Sequence, residues 1–396
     1  MQWNSMLKQG AVMNGKSVKS AAKAVALAFA ISASAGAYAL AADMPIKAPP
    51  KPAPAPPFFF VNDTSVSFTY YFKATDPGVS GSAGTVVGGI PGTGGTIGRY
   101  SGEIDHFDVW EYGTNLIHVE FNQYGNNDPS LGQIGAQGAR EFFGFSRSTL
   151  GLNELTHTKL FTSFLFNDIG LELGGTAGVE DNYLDEHTTQ FVGGLNFDVA
   201  IPKPFGTFLV GILAYKEFTR NEFDACGTLA FGVGTSGACT PAGPVFSGER
   251  DFEWTWKIES FYSLPLGFLG SWADSLHVVN IANVTGPKGT GITTANLNGA
   301  CSNGGFLSPS TCLRDAESKA EVFEDVRLVV DTSKIFWAKP GIWDTYVGYR
   351  YWYNKFGTDH NAPLFAGGTN LFGGPFGAPG TSIESSVYVG TTYHFK

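Results

Sequence analysis

Side chains able to hold or sort a small solute recur two residues apart along this chain. His106, Asp108 and Trp110 form one set, His118 and Glu120 a second, and Arg147 leads on through Thr149 to Asn153. Farther on come Asp325 with Arg327, and Arg350 with Trp352 and Asn354. Carboxylates and amides hydrogen-bond hydroxyl groups in competition with water, and an indole face stacks weakly on a flat ring. The same groups can instead brace a fold by pairing across neighbouring strands, His118 and Glu120 with Arg147, or Asp325 with Arg327. A spacing of two puts each set on one face only if the backbone is extended.

Other chemistries are absent from the pattern. Neither H-E-x-x-H nor G-x-S-x-G occurs, and the seven histidines are scattered, so the chain reads as a non-enzyme without a cofactor or a metal site. Residues 10–17 (GAVMNGKS) match the phosphate-binding P-loop pattern letter for letter. No strand precedes them, so nothing would aim their backbone N–H groups at a phosphate. Cys226 with Cys239 and Cys301 with Cys312 fall in Gly/Ser-rich stretches. Three pairings are open to them; local disulfides closing each loop are the simplest in an exported protein.

The elements that must carry these residues are strands. Residues 251–259 show the pattern plainly, with Phe252, Trp254, Trp256 and Ile258 on one face and Asp251, Glu253, Thr255, Lys257 and Glu259 on the other. Twelve such stretches are predicted: 61–74, 104–111, 116–124, 141–153, 160–174, 188–200, 207–219, 250–264, 275–285, 322–331, 344–356 and 382–395. Connectors after odd-numbered strands are mostly long and rich in Gly, Ser, Asn and Pro, and those after even-numbered strands are shorter. Short periplasmic turns alternating with long outer loops are the rhythm of a transmembrane antiparallel β-barrel, apolar toward lipid and polar toward a wet lumen. On that parity Phe107 and Val109 face lipid, leaving His106, Asp108 and Trp110 in the lumen. Ile117, Val119 and Phe121 point out, and His118 and Glu120 in. Tyr349, Tyr351 and Tyr353 belong to an outer aromatic girdle.

The N-terminus fits an export signal over 1–41. Lys8, Lys16, Lys19 and Lys23 precede a small apolar run that ends in an A-x-A site at residues 39–41. Its removal would leave 21 basic against 35 acidic residues, a net charge of −14. So acidic a chain is a poor partner for nucleic acid and disfavours passage of anions. A Pro/Ala-rich spacer follows over 42–60, extended and periplasmic, and the barrel occupies 61–396. The destination is the outer membrane of a Gram-negative cell, with lipid, lipopolysaccharide and the barrel-assembly machinery as partners. The last strand ends on the aromatic Phe395, followed by Lys396.

Several stretches resemble the nucleoside-specific channel-forming (Tsx-like) family of outer-membrane proteins. They are 105–110 (DHFDVW) with 116–125 (LIHVEFNQYG), 150–156 (LGLNELT), 256–266 (WKIESFYSLPL) and 347–352 (VGYRYW). The Gly-rich loops, the Pro-rich spacer and Lys396 depart from that pattern. The resemblance implies a monomeric twelve-stranded channel that passes nucleosides through a series of weak sites. Residues and resemblance together lead to the expectation of a passive channel for small neutral or cationic solutes, with nucleosides first among them. The alternative is a structural or surface-interaction barrel plugged by its own side chains.

Overall fold

The computed structural model describes residues 58–75, 86–87, 90–91, 96–125, 138–181, 187–220, 249–291, 317–361 and 382–395. The expected disulfide cysteines, the signal, most of the spacer and Lys396 lie outside these residues.

Twelve long strands follow one another around a closed antiparallel barrel. They are β1 (Phe59–Ala74), β2 (Ile97–Trp110), β3 (Gly113–Tyr124), β4 (Arg140–Gly151), β5 (Phe166–Glu180) and β6 (His187–Val199), then β7 (Thr207–Arg220), β8 (Thr255–Pro265), β9 (Leu276–Thr285), β10 (Glu321–Asp331), β11 (Trp343–Tyr353) and β12 (Ile383–Phe395). Each pairs with the next, and β12 closes on β1 in a register that sets Ser65 opposite His394 and Tyr71 opposite Tyr388. Closure leaves no unpaired edge, which a strand in hydrocarbon could not tolerate.

The alternation of side chains holds around the wall. Phe68, Phe121, Leu173, Phe191, Ile212, Ile258, Val347 and Val389 are exposed on the outside, while Ser67, Glu120, Glu172, Lys257 and Asp325 are buried on the inside. A belt of bare phenylalanine, leucine and valine is compatible with lipid, not with water. The wall is that of an outer-membrane barrel.

Inside, tyrosines and glycines interlock. Tyr346 pairs with Gly390, and Tyr388 with Gly348. Each ring lies over the glycine of the adjacent strand, where a Cβ would collide with it. Ring-over-glycine packing supplies the cover that the glycine cannot.

Four expectations from sequence shift. The fifth strand runs Phe166–Glu180 rather than 160–174, because the chain first makes a one-turn helix, α1 (Leu152–Thr156), stopped by His157 in the left-handed region. Asn153, expected on a strand and in the lumen, sits in this helix. It binds Thr162 Oγ1 and the Asn167 carbonyl and accepts from the Phe161 N–H, tying up the short-turn rim. The second strand begins seven residues earlier, at Ile97. Finally, the strand around residues 251–259 breaks: Glu249–Asp251 pairs with β7, β8 starts at Thr255, and Phe252 turns inward to become fully buried. There it lies 4.8 Å under the Lys288 ammonium, so it does not share the lipid face of Trp256 and Ile258.

Candidate functional site

The lumen face carries two charged tiers. The first is built from the strands on either side of the β12–β1 closure. Arg350 donates to Asp325 at 3.0 Å, Arg327 lies 3.4 Å from the same carboxylate, and the Tyr388 hydroxyl donates to it as well. Arg350 and Arg99 both sit over the Tyr71 ring, at 4.6 and 4.0 Å. Arg99 also faces Glu120 at 4.0 Å, and Glu120 accepts from Ser101 at 2.9 Å. The His118 imidazole lies between two carboxylates, 2.7 Å from Asp105 and 3.5 Å from Glu120. Buried charge in such number is tolerable only because nearly every group finds an opposite charge or a donor.

The second tier crosses the barrel. Arg147 on β4 donates to both oxygens of Glu259 on β8, at 2.8 and 3.0 Å, and lies 3.7 Å from Glu172. Lys257 supports Glu259 at 2.9 Å, and Asn196 donates to Glu172 at 2.6 Å. The arginine has room because its β5 neighbour is Gly174, where a Cβ would stand 2.7 Å from Arg147 Cδ. A fork of two parallel N–H groups meeting a carboxylate fixes direction as well as distance.

Seven of the sequence-predicted residues therefore lie on the inner face: His118, Glu120, Arg147, Asp325, Arg327, Arg350 and Trp352. Arg147 does not meet His118 or Glu120. Trp352 is wedged edge-on between Phe323 and Phe356, at 5.5 and 5.0 Å. His106, Asp108 and Trp110 do not face the lumen. On β2 the inward residues are Arg99, Ser101, Glu103, Asp105 and Phe107, so the even-numbered ones point outward, beside Ile104 and opposite Ile117. There His106 bonds Thr64 at 2.9 Å, and Asp108 accepts from Asn115 at 2.9 Å, itself bonded to Ser148. These polar links form a collar near the short-turn rim. Trp110 stacks on Phe58 at 6.0 Å.

The inverted phase of β2 brings a different residue inside. Phe107 and, on β8, Phe261 are inward-facing yet 38 % and 37 % exposed, so their rings border open space in the half of the lumen nearer the short turns. Sequence reasoning also missed Arg99, Glu103 and Glu172 as lumen residues; Lys257 and Glu259, read on the polar face of their strand, do face the lumen but were not singled out as site residues. Counting parity back from Asp105 to Arg99, through the polar run of β2, would have recovered the first two and Phe107.

No family model matches this chain, and no curated protein matches it. Solved structures similar to it include the KdgM porin, at 7 % identity over 84 % of this chain and 99 % of that one, with a TM-score of 0.31. Others are the translocator domain of the autotransporter NalP from Neisseria meningitidis (11 %, 85 % and 89 %, TM-score 0.36) and the outer membrane protein opdK from Pseudomonas aeruginosa (9 %, 85 % and 99 %, TM-score 0.22). Scores this low select no solute, and nothing among these proteins points to the nucleoside-channel family.

Proposed function

We propose that the protein is an outer-membrane channel for passive diffusion of small polar solutes, neutral or cationic. The observation that carries this reading is the inner face itself. Among the described residues every strand of the closed wall turns polar or charged side chains inward, beside small apolar clusters such as Val192 with Leu213, carboxylates outnumber cations there, and two phenyl rings lie accessible beneath the charged tiers. Weak polar contacts and accessible ring faces suit a solute that must enter and also leave. A nucleoside offers both hydroxyls for the carboxylates and a base for Phe107 or Phe261, so it is the finer proposal. The Arg147–Glu259 bridge favours a second reading, a self-braced barrel whose lumen is closed by its own side chains.

Swelling of liposomes containing the refolded protein tests the reading. Neutral sugars, nucleosides and cationic amino acids should enter, and anions of equal size should lag. Entry of none of them would leave the braced barrel standing.

A further inference from the structure

On the lumen wall, Glu103, Asp105 and His118 each turn one ligand atom into a common space, with all three atoms within 4.8 Å of one another. Glu103 is 7 % exposed and accepts a hydrogen bond from Thr69 at 2.7 Å, but among the described residues it has no ion pair. The two basic groups near it are engaged by other carboxylates, Arg327 by Asp325 at 3.4 Å and His118 by Asp105 at 2.7 Å. A carboxylate buried without a counter-charge is costly, and a cation placed between it and Asp105 would relieve that cost.

We propose that Glu103, Asp105 and His118 form a binding site for a divalent transition-metal cation of the zinc class. Two carboxylates balance its charge, and an imidazole nitrogen selects against magnesium and calcium, which prefer oxygen alone. Zinc holds nitrogen and oxygen at about 2.0–2.2 Å, which sets ligand atoms about 3.4 Å apart, so Glu103 must approach while the Asp105–His118 pair, now at 2.7 Å, opens to admit the ion. Glu120, held by Ser101 and Arg99, lies 3.5 Å from His118 Nε2 and acts as a positioning residue that orients the ring. Lumen water gives the ion its fourth ligand.

The register places this set in a longer row of imidazole–carboxylate pairs. His394, Ser65, Asp105 and His118 are consecutive ladder partners on β12, β1, β2 and β3. His394 repeats the imidazole–carboxylate arrangement, 2.7 Å from Asp63 and 3.4 Å from Asp344. Asp63 and Asp344 flank opposite nitrogens of that ring, so the three side chains do not converge on one ion, and the converging set in the row is the one at His118. Three strand spacings, about 14 Å, separate the two histidines along one row of the wall.

The test is zinc binding to the full-length refolded barrel by calorimetry, with liposome swelling by a neutral sugar run on the same preparation. Wild type should bind zinc saturably and magnesium not at all under the same conditions. His118→Gln should abolish binding at this station, and Glu120→Gln should weaken it about 10- to 100-fold. Asp105→Asn gives a second ligand variant should the first fail to refold. Zinc binding unchanged in both ligand variants, or absent from wild type, overturns the site. Loss of sugar entry with zinc binding intact would overturn the solute channel and leave the metal site standing.

Discussion

Arg147→Ala tests whether the lumen is bridged from wall to wall. At 2.8 Å and an effective dielectric of about 20, the gross attraction between Arg147 and Glu259 is about 6 kcal/mol, much of it offset by desolvation. Removing one partner of a fully buried pair costs about 3–5 kcal/mol. Here Lys257 stays 2.9 Å from Glu259, and the two bridging side chains are 14 % and 21 % exposed to the lumen. Those facts lower the expected cost to about 2–3 kcal/mol. Urea unfolding in lipid, followed by tryptophan fluorescence, reads the loss. A double-mutant cycle with Glu259→Gln should give a coupling energy of about 1–2 kcal/mol. The same variant clears a long side chain from the cross-section and leaves Glu172 and Glu259 facing the lumen. Single-channel conductance and cation preference should therefore both rise in a planar bilayer. Coupling within about 0.3 kcal/mol of zero together with unchanged conductance would refute the bridge.

Further expectations concern the phase of β2, the ring-over-glycine packing and the outer rim. Asp108→Ala should leave solute selectivity unchanged, because its carboxylate serves the outer collar. Phe107→Ala should reduce the preference for nucleosides over sugars of similar size by about two- to tenfold, the equivalent of about 0.5–1.5 kcal/mol of ring contact, as read by swelling rates. Gly348→Val should drive a methyl group into the Tyr388 ring and destabilise the barrel by about 1–3 kcal/mol in urea, with weakening of the Tyr388–Asp325 bond. Lys288→Met would leave Glu217 and Glu321, each 2.8 Å from the ammonium, buried together without a cation, at a cost of about 3–5 kcal/mol. Burial works against the Lys288 ammonium, but those two carboxylates outweigh it and hold its pKa above the ordinary lysine value. Its contribution is thus complete below a pH of about 10.4 and fades as pH rises through the folded-state value. The stability gap between wild type and Lys288→Met should stay constant through neutral pH and narrow only in strong alkali.

Strand number, the alternation of short and long connectors and the greasy-out, polar-in parity of most strands were legible in the sequence, because alternation is local. Each residue's face follows from its neighbours at two-residue spacing, so Ile117, Val119 and Phe121 pointed out and His118 and Glu120 pointed in without knowledge of any other strand. The same local rule failed on β2. Its visible apolar pair, Phe107 and Val109, looked lipid-facing, and the polar run from Arg99 to Glu103 looked like loop. Only pairing along the whole of β1 and β3 fixed the phase and turned Phe107 inward.

What lies opposite what was decided by closure alone. Arg147 and Glu259 are 112 residues apart and four strands removed, and their meeting depends on barrel diameter and on the cumulative register of every pair between them. The same holds for the row joining His394 to His118, which exists only because β12 closes on β1. Sequence determined which residues can live inside a barrel. The closed wall determined which of them touch, since that distance is a sum over all twelve strands and is written in no single one.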